Sequence, residues 1–383
     1  MTIAKGAATT PHLFSPIKLG DVELKHRIAM GPMTRSRSPG EIANDINALH
    51  YEQRATEGGL LVTEGTTPAA TGAGYEHVPG IRTSAEAAGW KKTTDAVHRK
   101  GGIIYAQLWH VGRASKAELQ PGKKAPVSAS ALPIKGKEVP RALEIPEIKT
   151  IIAEIAESAR LAIEEANFDG VEIHAAHGYL IDQFLESSSN QRTDEYGGSI
   201  ENRSRFLFEV VDAILAKIPA SKTAIRLSPF LDGQDCSDED PESLFSYVLK
   251  NLQKYNLAYI HLTEPVWGGW QQGPPHSQSK LNVFRPLVQA PTLLMLTGGY
   301  LAENGEEALS TGRAELIGIG RPFITNPDLV ERFRNGWELT AYADMKSYYG
   351  GGHENYTDFK TYREGLEEKG GKVEQPGAGQ THL

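Results

Sequence analysis

The sequence predicts one closed α/β barrel of eight strand–helix units, a single (β/α)8 TIM barrel with a β-hairpin ahead of it and long loops on its active face. Three observations carry that expectation. Eight short apolar strands recur along the 383 residues, separated by polar loops and amphipathic helical patterns. Eight alternating units in one chain suit a closed parallel barrel, since an open doubly wound sheet usually has fewer strands. The residues at the strand C-termini are polar and reactive while those at the strand starts are plain, and the C-terminal face is where such barrels keep their chemistry.

In chain order, residues 1–12 read as a flexible arm. Phe14 to Ile28 reads as a hairpin turning at Gly20-Asp21, placed to plug the lower end of the barrel. The eight strands fall at Arg27–Met33, Leu60–Glu64, Gly102–Leu108, Gly170–His174, Thr223–Ser228, Ala258–Thr263, Thr292–Thr297 and Glu315–Gly320. The clearest helix runs from about Pro146 to Ala166, with Ile148, Ile151, Ile152, Ile155, Ala159, Ala162 and Ile163 on one face. Another follows Ser199, a plausible N-cap, and buries Leu207, Val210, Val211, Ile214, Leu215 and Ile218. Helices are also expected near 43–57, 85–100, 241–254, 301–311 and 327–335, whereas the segment between the sixth and seventh strands is irregular. Loops 111–145 and 264–280 are rich in Gly, Pro and polar residues and read as lids or pocket walls, Trp267 and Trp270 among them. An aromatic cluster, Tyr342, Tyr348, Tyr349, Tyr356, Phe359 and Tyr362, fills 337–366 and is interrupted by three glycines at 350–352. One domain thus spans 13–366, and residues 367–383, rich in Gly, Lys and Glu, read as a disordered tail.

The totals exclude several classes. Forty basic against 48 acidic residues give a net charge of −8 with no basic stripe, which argues against nucleic-acid binding. The one cysteine, Cys236, excludes an internal disulfide and a multi-cysteine metal site, and suits a reducing compartment. The N-terminus lacks the apolar core of a secretion signal and no window is long and apolar enough to span a bilayer, so a cytoplasmic protein with no membrane partner is expected. No coiled-coil or apolar seam separates monomer from homodimer.

The stretch Asp169 to Leu185 begins as a strand, Val171 and Ile173 alternating with Glu172 and His174, and ends as a turn crowded by His174, His177 and Tyr179. Two imidazoles can donate to one acceptor and a neighbouring phenol can give a proton, which is a way to polarise a carbonyl and protonate a carbon. A pair of buried core histidines fits these residues equally well. Gly298 and Gly299 close the seventh strand and Gly320 and Arg321 the eighth, the corner where barrels often hold a phosphate on backbone N–H groups. Gln107, Arg226 and Thr34 point into the same mouth and suit a flat phosphorylated heterocycle. No Gly-x-Gly-x-x-Gly fingerprint follows a strand, so a tightly held NAD is not expected. A zinc site from His110, His174, His177, His261 and Glu264 is an alternative, although the first strand ends in Pro32-Met33-Thr34 where a His-x-His pair would be needed.

Three motifs resemble the old yellow enzyme family of flavin-dependent ene-reductases, over about Leu13 to Tyr362. They are Gly170-Val-Glu-Ile-His174-Ala-Ala-His177-Gly-Tyr179, the run from Asn190 to Arg203 around Tyr196-Gly-Gly-Ser, and Gly320-Arg321-Pro-Phe-Ile-Thr-Asn-Pro-Asp328. The resemblance implies non-covalent FMN, with Pro32, Met33 and Thr34 at the ring edge, Gly65 and Gln107 as further ring contacts, Arg226 on the pyrimidine side, and Gly298, Gly299, Gly320 and Arg321 around the phosphate. It implies NADPH or NADH as hydride donor, an enone or enal substrate held by His174 and His177, Tyr348 and Tyr349 over that substrate, and no metal. It further implies reduction of the C=C bond, hydride passing from the flavin to Cβ and a proton from Tyr179 to Cα. A flavin-dependent isomerase or a non-reductase flavoprotein on the same barrel remains the alternative.

Overall fold

A computed structural model of the chain describes residues 10–266, 278–342, 344–368 and 370. The expectations for the first nine residues, for Trp267 and Trp270 and for the tail from 371 onward lie outside the described residues.

Two short strands, β1 (Ile17–Leu19) and β2 (Val22–Leu24), pair antiparallel around Gly20, whose φ of +52° is the left-handed value a tight turn requires. Eight strands then close a parallel barrel. They are β3 (Ile28–Met30), β4 (Leu60–Thr66), β5 (Ile103–Leu108), β8 (Gly170–Ala175), β9 (Thr223–Leu227), β10 (Tyr259–Thr263), β11 (Leu293–Thr297) and β12 (Leu316–Ile319), neighbours in that order with β12 returning to β3. The missing pair, β6 (Val127–Ser128) and β7 (Arg141–Ala142), lies within the long loop after β5. All eight expected barrel strands are present, and the first is the most shortened.

The helices between them are α1 (Asp45–Arg54), α2 (Ser84–Arg99), α3 (Ile145–Glu164), α4 (Leu180–Leu185), α5 (Ile200–Leu215), α6 (Pro241–Leu252), α7 (Ala302–Ser310), α8 (Pro322–Thr325), α9 (Leu329–Asn335) and α10 (Tyr362–Glu368). Ser199 caps α5 by accepting from the Asn202 N–H, as its position predicts. Between β10 and β11 the described part of the connection is a 3-10 stretch, Lys280–Leu287, broken by Pro286; no α-helix forms there because proline removes a donor and crowds the preceding turn.

Two layers of burial follow from the period-two strands. Val171, Ile173, Ile225, Leu227, Ile260 and Leu262 face outward into the helix shell. Inside the barrel the lower end is apolar. Leu19 and Leu24 of the hairpin are fully buried there against Ala29, Leu60, Tyr105, Tyr259, Leu293 and Leu316, so the hairpin is the floor. Among the described residues no helix is long and apolar enough to cross a membrane.

Candidate active site

The polar residues of the barrel interior sit above that floor. In-register positions on parallel strands face the same side. Gln107 is paired in register with Glu172, and His174 with Arg226, which is in turn level with His261. β8 therefore delivers Glu172 and, one layer higher, His174.

After β8 the chain makes a left-handed step that few non-glycine residues adopt: His177 has φ +60° and Gly178 φ +73°. Four hydrogen bonds hold it. Ser228 Oγ accepts from the His177 N–H at 2.8 Å and Asp182 Oδ2 from the Gly178 N–H at 2.8 Å. Gln234 Nε2 donates to the His177 carbonyl at 3.0 Å, and Gln183 Nε2 to that of Gly178 at 2.7 Å. A conformation held from so many sides persists despite its intrinsic cost. Its effect is to bring Tyr179, at the start of α4, back over the end of β8.

The rings then pack edge to face. His174 lies 5.4 Å from His177 and 5.0 Å from Tyr179, centroid to centroid, at 74° and 90°. Trp109 stands 4.9 Å from Tyr179 at 85°, and stacks on His174 at 6.2 Å and on Tyr75 at 5.5 Å. The indole fits because Gly65 has no side chain: a Cβ there would come within 2.2 Å of Trp109 Cε3. Thr34, Tyr75, Trp109, Tyr179 and Tyr349 line a cavity of about 390 Å³. A second cavity of about 510 Å³ shares Tyr75 and Glu76 with it and is walled by residues 114–116 and 136–138 of the long loop after β5, as expected of a pocket wall.

Burial sets the protonation states. It pushes the His174 imidazole down to about 3, helped by the Arg226 charge, and the same causes hold His177 well below the ordinary histidine range. Burial, and then Tyr75, push the Tyr179 phenol well above 10. At neutral pH the site thus presents two neutral imidazoles and a protonated phenol. His174 Nδ1 is buried with no hydrogen-bond partner among the described residues, an unmet capacity on a ring packed against Tyr179.

The four residues of the opposite corner lie together at the mouth. Gly298 and Gly299 have φ +111° and +80°, and a Cβ at Gly298 would press to 2.8 Å from that of Glu264. A Cβ on Gly320 would meet Met33 Sδ at 2.9 Å, which puts the end of β12 beside the end of β3. Gly298, Gly299, Gly320 and Arg321 are all part-exposed, as are Pro32, Met33 and Thr34. Gln107 is 2 % exposed, and its amide nitrogen is already committed to Glu172.

The structure bears on three of these readings. Tyr349 lines the cavity, whereas Tyr348 is 2 % exposed and its carbonyl accepts from Arg35 and Arg37 at 2.9 and 3.0 Å, so it anchors the segment that carries Tyr349. The aromatic cluster is a strap: Tyr356 is fully buried between the Arg35 and Arg37 guanidiniums and the stacked His50 ring. The histidines weighed as zinc ligands do not converge. His110 faces Thr71 at 3.0 Å, His261 faces Glu172 at 2.8 Å, and Glu264 is taken by Ser279, Tyr300 and Arg313; no cluster of three metal-binding side chains forms among the described residues. Trp109 and Tyr75 escaped sequence reasoning. Trp109 had a signal, being the first residue past the third barrel strand, but Tyr75 sits in a loop with no periodicity to mark it.

A barrel with a polar mouth, a glycine-lined corner and a His–His–Tyr cluster is the architecture of a flavin oxidoreductase, and the sequence comparison bears this out. Residues 12–340 match the NADH:flavin oxidoreductase / NADH oxidase family, and the chain belongs to that family, the old yellow enzymes. It is 43 % identical over 360 residues to 12-oxophytodienoate reductase 1 of Oryza sativa subsp. japonica, covering 92 % of this chain and 94 % of the relative. It is also 43 % identical over 372 residues to 12-oxophytodienoate reductase 7 of the same plant, covering 91 % and 94 %. Morphinone reductase superposes with a TM-score of 0.86 at 39 % identity, over 93 % of this chain and 98 % of that one. A structure of morphinone reductase in complex with tetrahydroNAD superposes at 0.85 with 40 % identity, covering 93 % and 99 %. The protein is an enzyme of the flavin-using, nicotinamide-linked kind.

Proposed function

We propose that the enzyme binds FMN non-covalently at the barrel mouth and uses NADPH or NADH to reduce the C=C bond of α,β-unsaturated carbonyl compounds. The observation that carries this reading is the cluster at the end of β8: neutral His174 and His177 packed with a protonated Tyr179, which itself lines the cavity. The residues present fit the cofactor. Gly298, Gly299, Gly320 and Arg321 would hold its phosphate on backbone N–H groups and one guanidinium. Gln107 and Arg226 would meet the polar edge of the ring, and Pro32, Met33, Thr34 and Gly65 its flanks. When bound, the flavin supplies the hydride that the nicotinamide donor delivers.

The rest belongs to this chain's own side chains. His174 and His177 donate to the substrate carbonyl oxygen as negative charge develops on it, and a preorganised donor of that kind is worth roughly 3 kcal/mol in the transition state. Being neutral, each has a single N–H to give, so orientation matters more than charge. Tyr179 gives its proton to Cα. Tyr349 and Trp109 shape the space between, and Tyr348 serves only through the strap that carries Tyr349. The relatives named for 12-oxophytodienoate and morphinone reduction support a carbonyl-bearing substrate for this chain too.

The test is spectroscopic. The purified protein should show a flavin band that bleaches on anaerobic addition of NADPH and returns on addition of 2-cyclohexenone. A band that bleaches and does not return would remove enone reduction while keeping the flavin; a colourless protein that takes up no FMN would remove both.

A further inference from the structure

The barrel interior holds a carboxylate that no step above uses. Glu172 is fully buried on β8, one layer below His174. Gln107 Nε2 donates to its Oε1 at 2.7 Å, while the Tyr259 hydroxyl at 3.0 Å and His261 Nδ1 at 2.8 Å both meet its Oε2. Arg226, level with His174 on β9, is the nearby opposite charge. Burial alone would raise the Glu172 carboxyl, but His261, Arg226 and Gln107 outweigh it and keep it below the ordinary carboxylate range. A buried ionic network of this kind rarely adds stability over apolar packing of the same volume. The floor beneath is apolar already, so closing the barrel does not call for it.

Two consequences reach the mouth. With one of its two N–H groups donated to Glu172, the Gln107 amide is held in one orientation, its carbonyl oxygen turned away from that carboxylate. The Glu172 charge also offsets that of Arg226. A flavin gains electrons on reduction, so a nearby carboxylate opposes that change and an arginine favours it.

We propose that Glu172 is a positioning residue for the cofactor, fixing the Gln107 amide and balancing Arg226, and so sets the reduction potential of the bound flavin. This rests on the FMN reading above.

The experiment is a potential titration of the FMN-loaded protein. Glu172→Gln keeps the shape and removes the charge, leaving Arg226 uncompensated. The expected result is a rise in potential, with the reduced-to-oxidised ratio at a given poise up about tenfold, or about 30 mV for a two-electron couple. Tyr259→Phe keeps the charge but removes one donor that screens it, and should move the potential the other way. A site merely loosened by mutation would shift both variants in the same direction, and that result, or no shift in either, overturns the proposal. If Glu172→Gln does not fold, the sign of the Tyr259→Phe shift decides. A wild-type chain that binds no FMN overturns the underlying reading and this assignment with it, whereas wild-type binding with unshifted variants overturns this assignment alone.

Discussion

Tyr179 and His174 owe their protonation states to the same cause acting in opposite senses: burial disfavours charge, so it lifts a phenol and depresses an imidazole. Replacing Tyr179 by Phe keeps the ring that packs on Trp109 and His174 and removes the hydroxyl that carries the proton. We expect enone-driven reoxidation to slow by about 10²–10⁴ while reduction by NADPH is nearly unchanged, checked by stopped-flow measurement of each half. Equal slowing of both would take the proton-donor role from Tyr179. Neither group titrates near neutrality, so reoxidation by enone should be flat from about pH 5 to about pH 9. Asp182, which burial lifts to about 7 and whose oxygen holds the Gly178 N–H, is the buried group at this turn that titrates inside that range, and a step near pH 7 would be assigned to it. At this scale the sequence was informative where chemistry is local. His174, His177 and Tyr179 share one turn and were legible as a cluster. Trp109 and Tyr75 were not, because their role comes from stacking across three loops.

Among the elements, the unit of β8, its left-handed turn and α4 does the aiming. The short helix α4 carries the buried carboxyl of Asp182 and is followed directly by that of Glu186, each with an oxygen lacking a hydrogen-bond partner among the described residues. Asp182 has its carboxyl raised by burial above the unfolded value of 3.8, and the sign follows from that. Its contribution to stability is complete below the unfolded value and is lost as pH rises through about 7. Asp182→Asn does not titrate and can still accept from the Gly178 N–H while offering a donor beside Glu186. We expect it to melt higher than the wild type at about pH 8, by on the order of 1 kcal/mol of stability, with the gap shrinking toward about pH 5. A gap independent of pH would mean that Asp182 is not the titrating group. The motif from Asn190 to Arg203 also works at this scale, as a clamp. Asn190 donates to the Phe184 and Tyr196 carbonyls, Arg192 to those of Ala129 and Leu143, and Arg203 pairs with Asp238 at 2.6 Å. It fastens the pocket-wall loop to the end of α4, a role that its composition did not reveal.

For the whole molecule, the barrel separates a floor that supplies stability from a mouth that supplies chemistry. Leu24 is fully buried where the hairpin meets the strand starts. Truncating it to Ala removes packing from that floor and should cost about 2–5 kcal/mol, seen as an earlier urea midpoint, with flavin content and half-reaction rates of the folded protein unchanged. Loss of flavin binding at equal stability loss would show that floor and mouth are coupled. The alternation of apolar strand and amphipathic helix, which is local and periodic, determined from the sequence alone that there are eight barrel strands, about where each lies, and which residues stand near their C-termini, though not the exact strand ends. The motifs carried the family. Convergence was decided only by the tertiary structure. Closing the sheet brings β12 against β3 and sets Gly320 on Met33, residues almost three hundred positions apart. It turns His261 toward Glu172 and His110 toward Thr71, away from a shared metal, and it buries Tyr348 while leaving Tyr349 in the cavity. Which way a side chain faces, and what it meets there, depends on register and barrel closure, and these are properties of strands far apart in the chain.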